Sequence, residues 1–379
     1  MALSLRVCVL LCLFFVSAAV TPAQAIGVDP QTIPDLPTPD FMPQKEFEDK
    51  TQLIQETPFN DPYLAYEVRL PKEWGETADP PKTTPDHKGV SDRVIGIIAA
   101  YSSPWRYQLR SFFTIEALEL DYEINARNWF INYTFNNGYT LSALKEISEN
   151  EIEAAYVELR DDITYAVRVR AIINGPRVLV MRYYVPQEDF ADERIMQAQA
   201  LNSFKLLHFE DRFIETHKTY GFVDQSYFNY PASWTIDAPL IKSIDRMKVI
   251  LFSGDDVRKP EGQINVYVIS KLLGTSLAQE VRDFRDSINI PGYRLGKIRE
   301  RLDMPYDKSL WFGMTESYRL EPQGNTMIDY EYVVSVMEGA DYYYIVSLIT
   351  PSREEEFYNW AKNLRAFRIV AETMRRNDK

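Results

Sequence analysis

The feature that most restricts the fold of this chain is that most of it is written twice. Tyr66-Glu-Val-Arg-Leu-Pro71-Lys-Glu-Trp74 recurs as Tyr227-Phe-Asn-Tyr-Pro231-Ala-Ser-Trp234, with proline and tryptophan both displaced by 160. Gly138-Tyr139 recurs as Gly292-Tyr293, and the turn pair Asn174-Gly175 as Glu338-Gly339. Tyr183-Tyr184 with Pro186 corresponds to the tyrosine-rich run 342–349 with Pro351. Leu201-Asn-Ser-Phe204-Lys-Leu-Leu recurs as Leu364-Arg-Ala-Phe367-Arg-Ile-Val. A period near 160 is the size of a whole domain and too long for a solenoid unit, so the landmarks describe a tandem duplication. In a chain of 379 residues, two such units leave only the ends unaccounted for.

Periodicity gives the order of elements within a repeat. In the second copy, 247–252 and 263–272 read as strands. A helix follows with Leu277, Val281, Phe284 and Ile288 on one face, opened by a Ser276/Gln279 capping box and ended by Asn289-Ile-Pro-Gly292. Strands are expected around 293–302, 309–320, 326–337 and 341–349. Phe357, Trp360, Ala361 and Leu364 then fall on one helical face, and 367–370 reads as a short closing strand. The first copy matches, with strands at 111–120, 139–147, 152–160, 164–173 and 177–185 and helices at about 121–137 and 188–201. Strands joined by tight turns must be antiparallel, and two interrupting helices belong on the faces of a sheet. The fold class is therefore α+β, two tandem copies of an antiparallel sheet flanked by helices. Tyr183, Tyr184, Tyr342, Tyr343 and Tyr344 sit in strands, where sheet cover is the expected role and an aromatic ligand cradle the alternative.

The ends divide the remaining chain. Arg6, a run of apolar residues from Val7 to Val20, and Ala23-Gln24-Ala25 have the three parts of a secretory signal peptide at 1–25, the alternative being an N-terminal membrane anchor. Six prolines between Ile26 and Pro58 describe an extended acidic arm at 26–58. It serves either as a spacer or as a peptide that docks on a partner through Ile33, Leu36, Phe41 and Met42. The repeats are then placed at 59–208 and 222–371, with a linker at 209–221 and a polar tail at 372–379. Both cysteines, Cys8 and Cys12, lie inside the signal. The exported chain then has no thiol nucleophile, disulfide or cysteine-based zinc site. A cysteine-free exported chain points to a periplasm, with the cell exterior as the alternative.

A repeat that opens on aromatic-x-x-Pro-x-x-Trp and closes on Ser/Ala-Phe-Lys/Arg-apolar resembles the PsbP-like α/β/α sandwich superfamily, known from photosystem II and from bacterial lipoproteins. The matching residues are Pro71, Trp74 and Ser203-Phe204-Lys205 in the first copy, and Pro231, Trp234 and Ala366-Phe367-Arg368 in the second. The resemblance spans about 52–208 and 218–371. It implies a non-catalytic binding or assembly role. The tandem arrangement and the arm depart from a single-domain pattern.

Motifs for chemistry are sparse. Neither phosphate-binding glycine pattern occurs, nor a nucleophile elbow, and there are three histidines, His87, His208 and His217. His208, Glu210, Asp211, Glu215 and His217 cluster in the linker, where a divalent metal on His208, Glu210 and His217 competes with a solvated segment. Asp161-Asp162 and Asp255-Asp256 read as turns, and Asn132-Tyr133-Thr134, a glycosylation pattern, reads as helix. Lys297, Arg299 and Arg301 alternate on one strand, and Arg168, Arg170 and Arg182 are placed on one face in the first copy. These cations either pair across strands, with Glu153 or Glu158, or form a docking patch for an acidic partner or anionic headgroups.

A net charge of −13 argues against nucleic acid as partner. The expected function is an exported, non-enzymatic binding or assembly protein, without cofactor, that engages a protein partner in the envelope or exterior. The alternatives are a hydrolase-type enzyme with its site between the repeats, and a binder of a small hydrophobic ligand.

Overall fold

The computed structural model describes residues 33–78, 93–106, 109–223, 226–237, 243–254, 261–288, 290, 292–323 and 328–376. The signal peptide expected at 1–25, His87 and the Asp255-Asp256 turn lie outside them. Elements are numbered along the chain. The first repeat opens with α1 (Gln44–Lys50), β1 (Thr51–Glu56) and β2 (Tyr66–Pro71). It continues through β3 (Gly75–Glu76), β4 (Arg93–Ser102), β5 (Phe112–Glu119), α2 (Ala126–Asn136), β6 (Thr140–Ser148), β7 (Glu151–Arg160), β8 (Ile163–Asn174) and β9 (Arg177–Pro186), and closes on α3 (Phe190–Ser203) and β10 (Lys205–Leu206). The second repeat runs β11 (His217–Phe222), β12 (Ser226–Pro231), β13 (Thr235–Asp237), β14 (Arg246–Ser253), β15 (Gly262–Ser270) and α4 (Leu277–Ser287). It ends with β16 (Tyr293–Leu302), β17 (Phe312–Pro322), β18 (Tyr330–Glu338), β19 (Tyr342–Pro351), α5 (Phe357–Glu372) and β20 (Arg375–Arg376).

Each repeat builds one seven-stranded and one three-stranded sheet. The large sheets have the orders β3-β4-β5-β9-β8-β7-β6 and β13-β14-β15-β19-β18-β17-β16, the same path walked twice. The small sheets are β1-β2-β10 and β11-β12-β20. The structure is thus α+β with two tandem copies of a sheet-and-helix sandwich. Local chemistry sets the connections. Asp161 and Asp162 both take positive φ, 46° and 64°, as a two-residue hairpin turn requires. The repeated Pro-x-x-Trp is a turn closed by Trp74 N to Pro71 O and Trp234 N to Pro231 O, each 3.0 Å. It drops the indole between the sheets, and Trp74 meets Tyr183 at 4.9 Å. Ser276 caps α4 by accepting from the Gln279 amide. Asn132 is buried inside α2.

The inner face of the first large sheet packs on the small sheet and α3, and its other face on α2. The second repeat stacks in the same way, with α5 and α4 in those places. One element serves both. Phe367, Val370 and Ala371 of α5 enter the core of the second repeat, while Trp360 and Ala361 belong to the cluster that holds Trp129, Phe130 and Val169 of the first.

Several expectations at the boundaries fail. The stretch expected as an extended arm holds α1 and β1. No proline falls between Gln44 and Thr57, Lys50 pairs with Glu46 at 2.7 Å, and Phe47 is buried, which suffices for two turns of helix against the body. The rest of the arm docks on its own chain. Leu36 N donates to Leu144 O, and Leu144 N to Pro34 O, so 34–36 pairs with the outer edge of β6. Removing 26–55 would therefore delete a sheet strand, and an assembly test needs a cut before Gln44. The expected linker holds all of β11 but Phe222, and the expected tail contains β20. The closing strand expected at 367–370 is helix, because α5 runs on to Glu372. Arg376 pairs with Ser226 where Leu206 pairs with Tyr66, so the true counterpart of Phe204 is Met374, not Phe367.

Candidate functional site

A cleft of about 370 Å³ lies between the repeats. The β5–α2 connection brings Tyr122 and Glu123 to it, the segment ahead of β11 brings Glu215, the β12–β13 turn brings Ser233, and α5 brings Tyr358 and Lys362. Glu123 and Glu215 exchange reciprocal bonds, each backbone N–H donating to the other's carboxylate at 3.3 Å. Glu215 also accepts from the Ser233 amide at 2.8 Å and hydroxyl at 3.0 Å. Glu123 is bonded to His217 Nε2 at 3.0 Å, and the His217 ring stacks on Phe213. Across the cleft the Lys362 ammonium lies 4.4 Å from the Tyr122 ring centroid and 4.9 Å from that of Tyr358.

The Ser233 hydroxyl is turned to Glu215 and the His217 imidazole to Glu123, so they do not form the hydroxyl–imidazole pair that activates a nucleophile. Glu215 in effect ties together Glu123 of the first repeat and Ser233 of the second. Burial pushes the Glu215 carboxyl above its ordinary value, with the Ser233 bonds opposing the shift. A carboxyl raised in the folded state favours folding when protonated, so its charged form costs stability as pH climbs past the unfolded value. Glu215→Gln should therefore lose less stability than the native chain between about pH 5 and about pH 7.5. Denaturant midpoints at the two pH values check this; identical losses would refute it.

The expected metal trio does not assemble. His208 is exposed, Glu210 is bonded to Arg177 and its amide to Asn174, and His217 belongs to the cleft. Among the described residues no group of three metal-ligating side chains converges.

The cationic patches also dissolve. Two bulges in β16, between Leu295 and Ile298 and between Ile298 and Glu300, break the alternation on which the shared face depended. Arg301 pairs with Glu316 on the α4 side, while Arg299 pairs with Glu331 and Glu354, and Glu331 is held by Arg353 and the Trp360 indole. Lys297 is exposed inside the first bulge. Charged side chains and bulges on an outermost strand blunt its edge against unwanted pairing. In the first repeat Arg168 binds Glu153 at 2.5 Å, and Arg170 binds Glu151 at 2.7 Å and the Leu201 and Phe204 carbonyls at the end of α3. Arg182 points to the opposite face, fully buried. Arg301 is 73% exposed, so Arg301→Ala should change stability by less than about 1 kcal/mol in a denaturant titration. A larger loss would show that its pair with Glu316 is structural.

Of the arm residues, Leu36 is buried and Ile33 packs on the first core, both taken by their own chain, whereas Phe41 remains exposed. The Met42 backbone exchanges two bonds with the Gln199 amide on α3. Sequence reasoning missed Tyr122, Glu123 and Lys362. Their one local signal was a tyrosine–glutamate pair in a strand-to-helix connection.

No known protein family matches the chain, and no curated protein does. Among solved structures it is similar to cyanobacterial PsbP from Synechocystis sp. PCC 6803, at 11% identity, over 41% of this chain and 92% of that one, with a TM-score of 0.29. It is also similar to the immunity protein TplEi of Pseudomonas aeruginosa, at 10% identity, over 87% and 98% of the two chains, with a TM-score of 0.22. At such scores the fold assignment rests on the sheet orders above.

Proposed function

We propose that this chain is an exported, non-enzymatic binding and assembly component of the periplasm, or of the cell exterior, whose two sandwich domains present one composite surface to a protein partner. The observation that carries this reading is α5, whose two faces lie in the cores of both repeats. Two contact surfaces fixed in one body engage a partner with a high effective concentration for the second contact. The Glu123–Glu215–Ser233 tie supports the same rigid relation. No helix among the described residues is long and apolar enough to cross a membrane. Pull-down of the full chain from its native envelope, followed by mass spectrometry, tests the proposal. A stoichiometric partner that is lost when α5 is loosened supports it. Catalytic turnover by the purified monomer overturns it.

One observation favours a second reading, a hydrolase-type site in the cleft. Glu215, Ser233, Glu123 and His217 are brought together from separate segments, and the raised Glu215 carboxyl suits a general acid. Under that reading Glu215→Gln abolishes turnover, whereas under the assembly reading there is no turnover to abolish.

A further inference from the structure

The two repeats fill the space beneath their sheet-covering helix with different chemistry. Arg182 pairs across the first large sheet with Thr114 and Val169, and Ser347 pairs across the second with Asn265 and Val334. Ser347 therefore stands where Arg182 stands. By the same registers Tyr267 replaces Glu116, and Phe284, eighth residue of α4, replaces Tyr133, eighth residue of α2. In the first repeat the Arg182 guanidinium donates to Glu116 at 2.8 Å and to the Tyr133 hydroxyl, and the three side chains fill the layer. Exchanging Arg182 for a hydroxymethyl group removes about 100 Å³ of side chain, of which the larger Tyr267 ring in place of Glu116 returns about half, and a close-packed interior must refill or leave open the rest.

The second repeat leaves part of that volume unfilled, above a Ser347 that is itself fully buried. A space of about 190 Å³ lies between α4 and the sheet, floored by Asn265, Tyr332 and Ser347 and walled by Phe284 and Ile288. Lys248 lines it from β14, with its ammonium 5.1 Å from the Tyr267 ring centroid. None of the ten lining residues is acidic, in a chain with 55 acidic and 42 basic residues. The helix above is also less committed than its counterpart. Leu277, Val281, Phe284 and Ile288 are only half-buried, whereas Trp129, Phe130 and Tyr133 of α2 are fully buried. A small pocket with aromatic and aliphatic walls, amide and hydroxyl groups on its floor and one cation is chemically suited to a flat apolar body with a single negative charge.

We propose that this pocket binds a small aromatic carboxylate, with the ring against Phe284, Ile288 and Tyr332 and the carboxylate toward Lys248. The proposal is independent of the assembly role. The test titrates the full chain with benzoate and, as its uncharged counterpart, benzamide, by calorimetry and near-ultraviolet circular dichroism. Benzoate should bind saturably at one site, with benzamide at least about tenfold weaker. Ser347→Leu, which refills the space, should weaken benzoate by about tenfold or more, and Lys248→Gln should erase the preference over benzamide. Lys248 is exposed, so its variant decides the matter alone should Ser347→Leu fail to fold. Benzoate that does not saturate, that binds a folded Ser347→Leu variant as well as the native chain, or that keeps its preference in Lys248→Gln overturns the proposal.

Discussion

Replacing Trp360 with alanine is expected to destabilise the folded chain by about 3–5 kcal/mol, the range for emptying a large aromatic from a packed core. The residue lies on α5 yet belongs to the core cluster of the first repeat. Its indole N–H donates to the buried Glu331 carboxylate at 3.2 Å, and the Arg353 guanidinium lies 4.3 Å from its ring centroid. The substitution thus opens a cavity at the joint and removes one donor from a buried carboxylate. Domains of this size are stable by only about 5–15 kcal/mol, so the loss is a large share of the whole. It should also change the form of unfolding. A single cooperative transition in urea, followed by tryptophan fluorescence and circular dichroism together, should separate into two as the repeats uncouple. A variant with a near-native midpoint and one transition would show that α5 does not couple the repeats. The same variant should fail to capture a partner that needs both domains.

The second large effect belongs to Arg182. Its pair with Glu116 is fully buried on both sides, in a layer that also holds the Tyr133 hydroxyl. Arg182→Met strands a carboxylate in the core and should cost about 3–5 kcal/mol. Arg182→Met with Glu116→Leu removes both charges while keeping the volume, and should recover most of that loss or even exceed native stability. A double-mutant cycle in guanidinium separates the pairwise coupling from the two single costs. If the double variant is as unstable as the sum of the single ones, the pair is not the source of the loss. The second repeat is a natural control, since it builds the same sheet with Ser347 and Tyr267 at those positions.

The run β6 to β9 was legible because two-residue turns join its strands and its periodicity is strand-like, whereas β3 and β4 of the first repeat and β13 of the second went unread. The Asp161-Asp162 and Asn174-Gly175 turns and the Ser276 cap follow from residue chemistry alone. Errors gathered where a one-residue change has large consequences. A bulge in β16 turns Arg299 and Arg301 to opposite sides of the sheet, and nothing local in Lys-Ile-Arg-Glu-Arg announces it. The repeated Leu-x-x-Phe suggested that both copies close alike, but α5 is longer than α3, and the closing strand moves on to Arg375. The cleft was anticipated as a place and not as residues, because Glu123, Glu215 and Lys362 come from three separate segments.

By itself the sequence determined the duplication, the fold class, the antiparallel pairing and the faces of most helices, all of which arise from side-chain period and turn chemistry within a few residues. Only the tertiary structure decided that α5 is shared by two cores, that the arm seals the edge of β6, and that the arginines are held by carboxylates from other elements. It also decided that the layer packed solid by Arg182 in one repeat is only partly refilled above Ser347 in the other. Those outcomes depend on which distant side chains meet in a given volume, and the identity of a residue does not carry its neighbours.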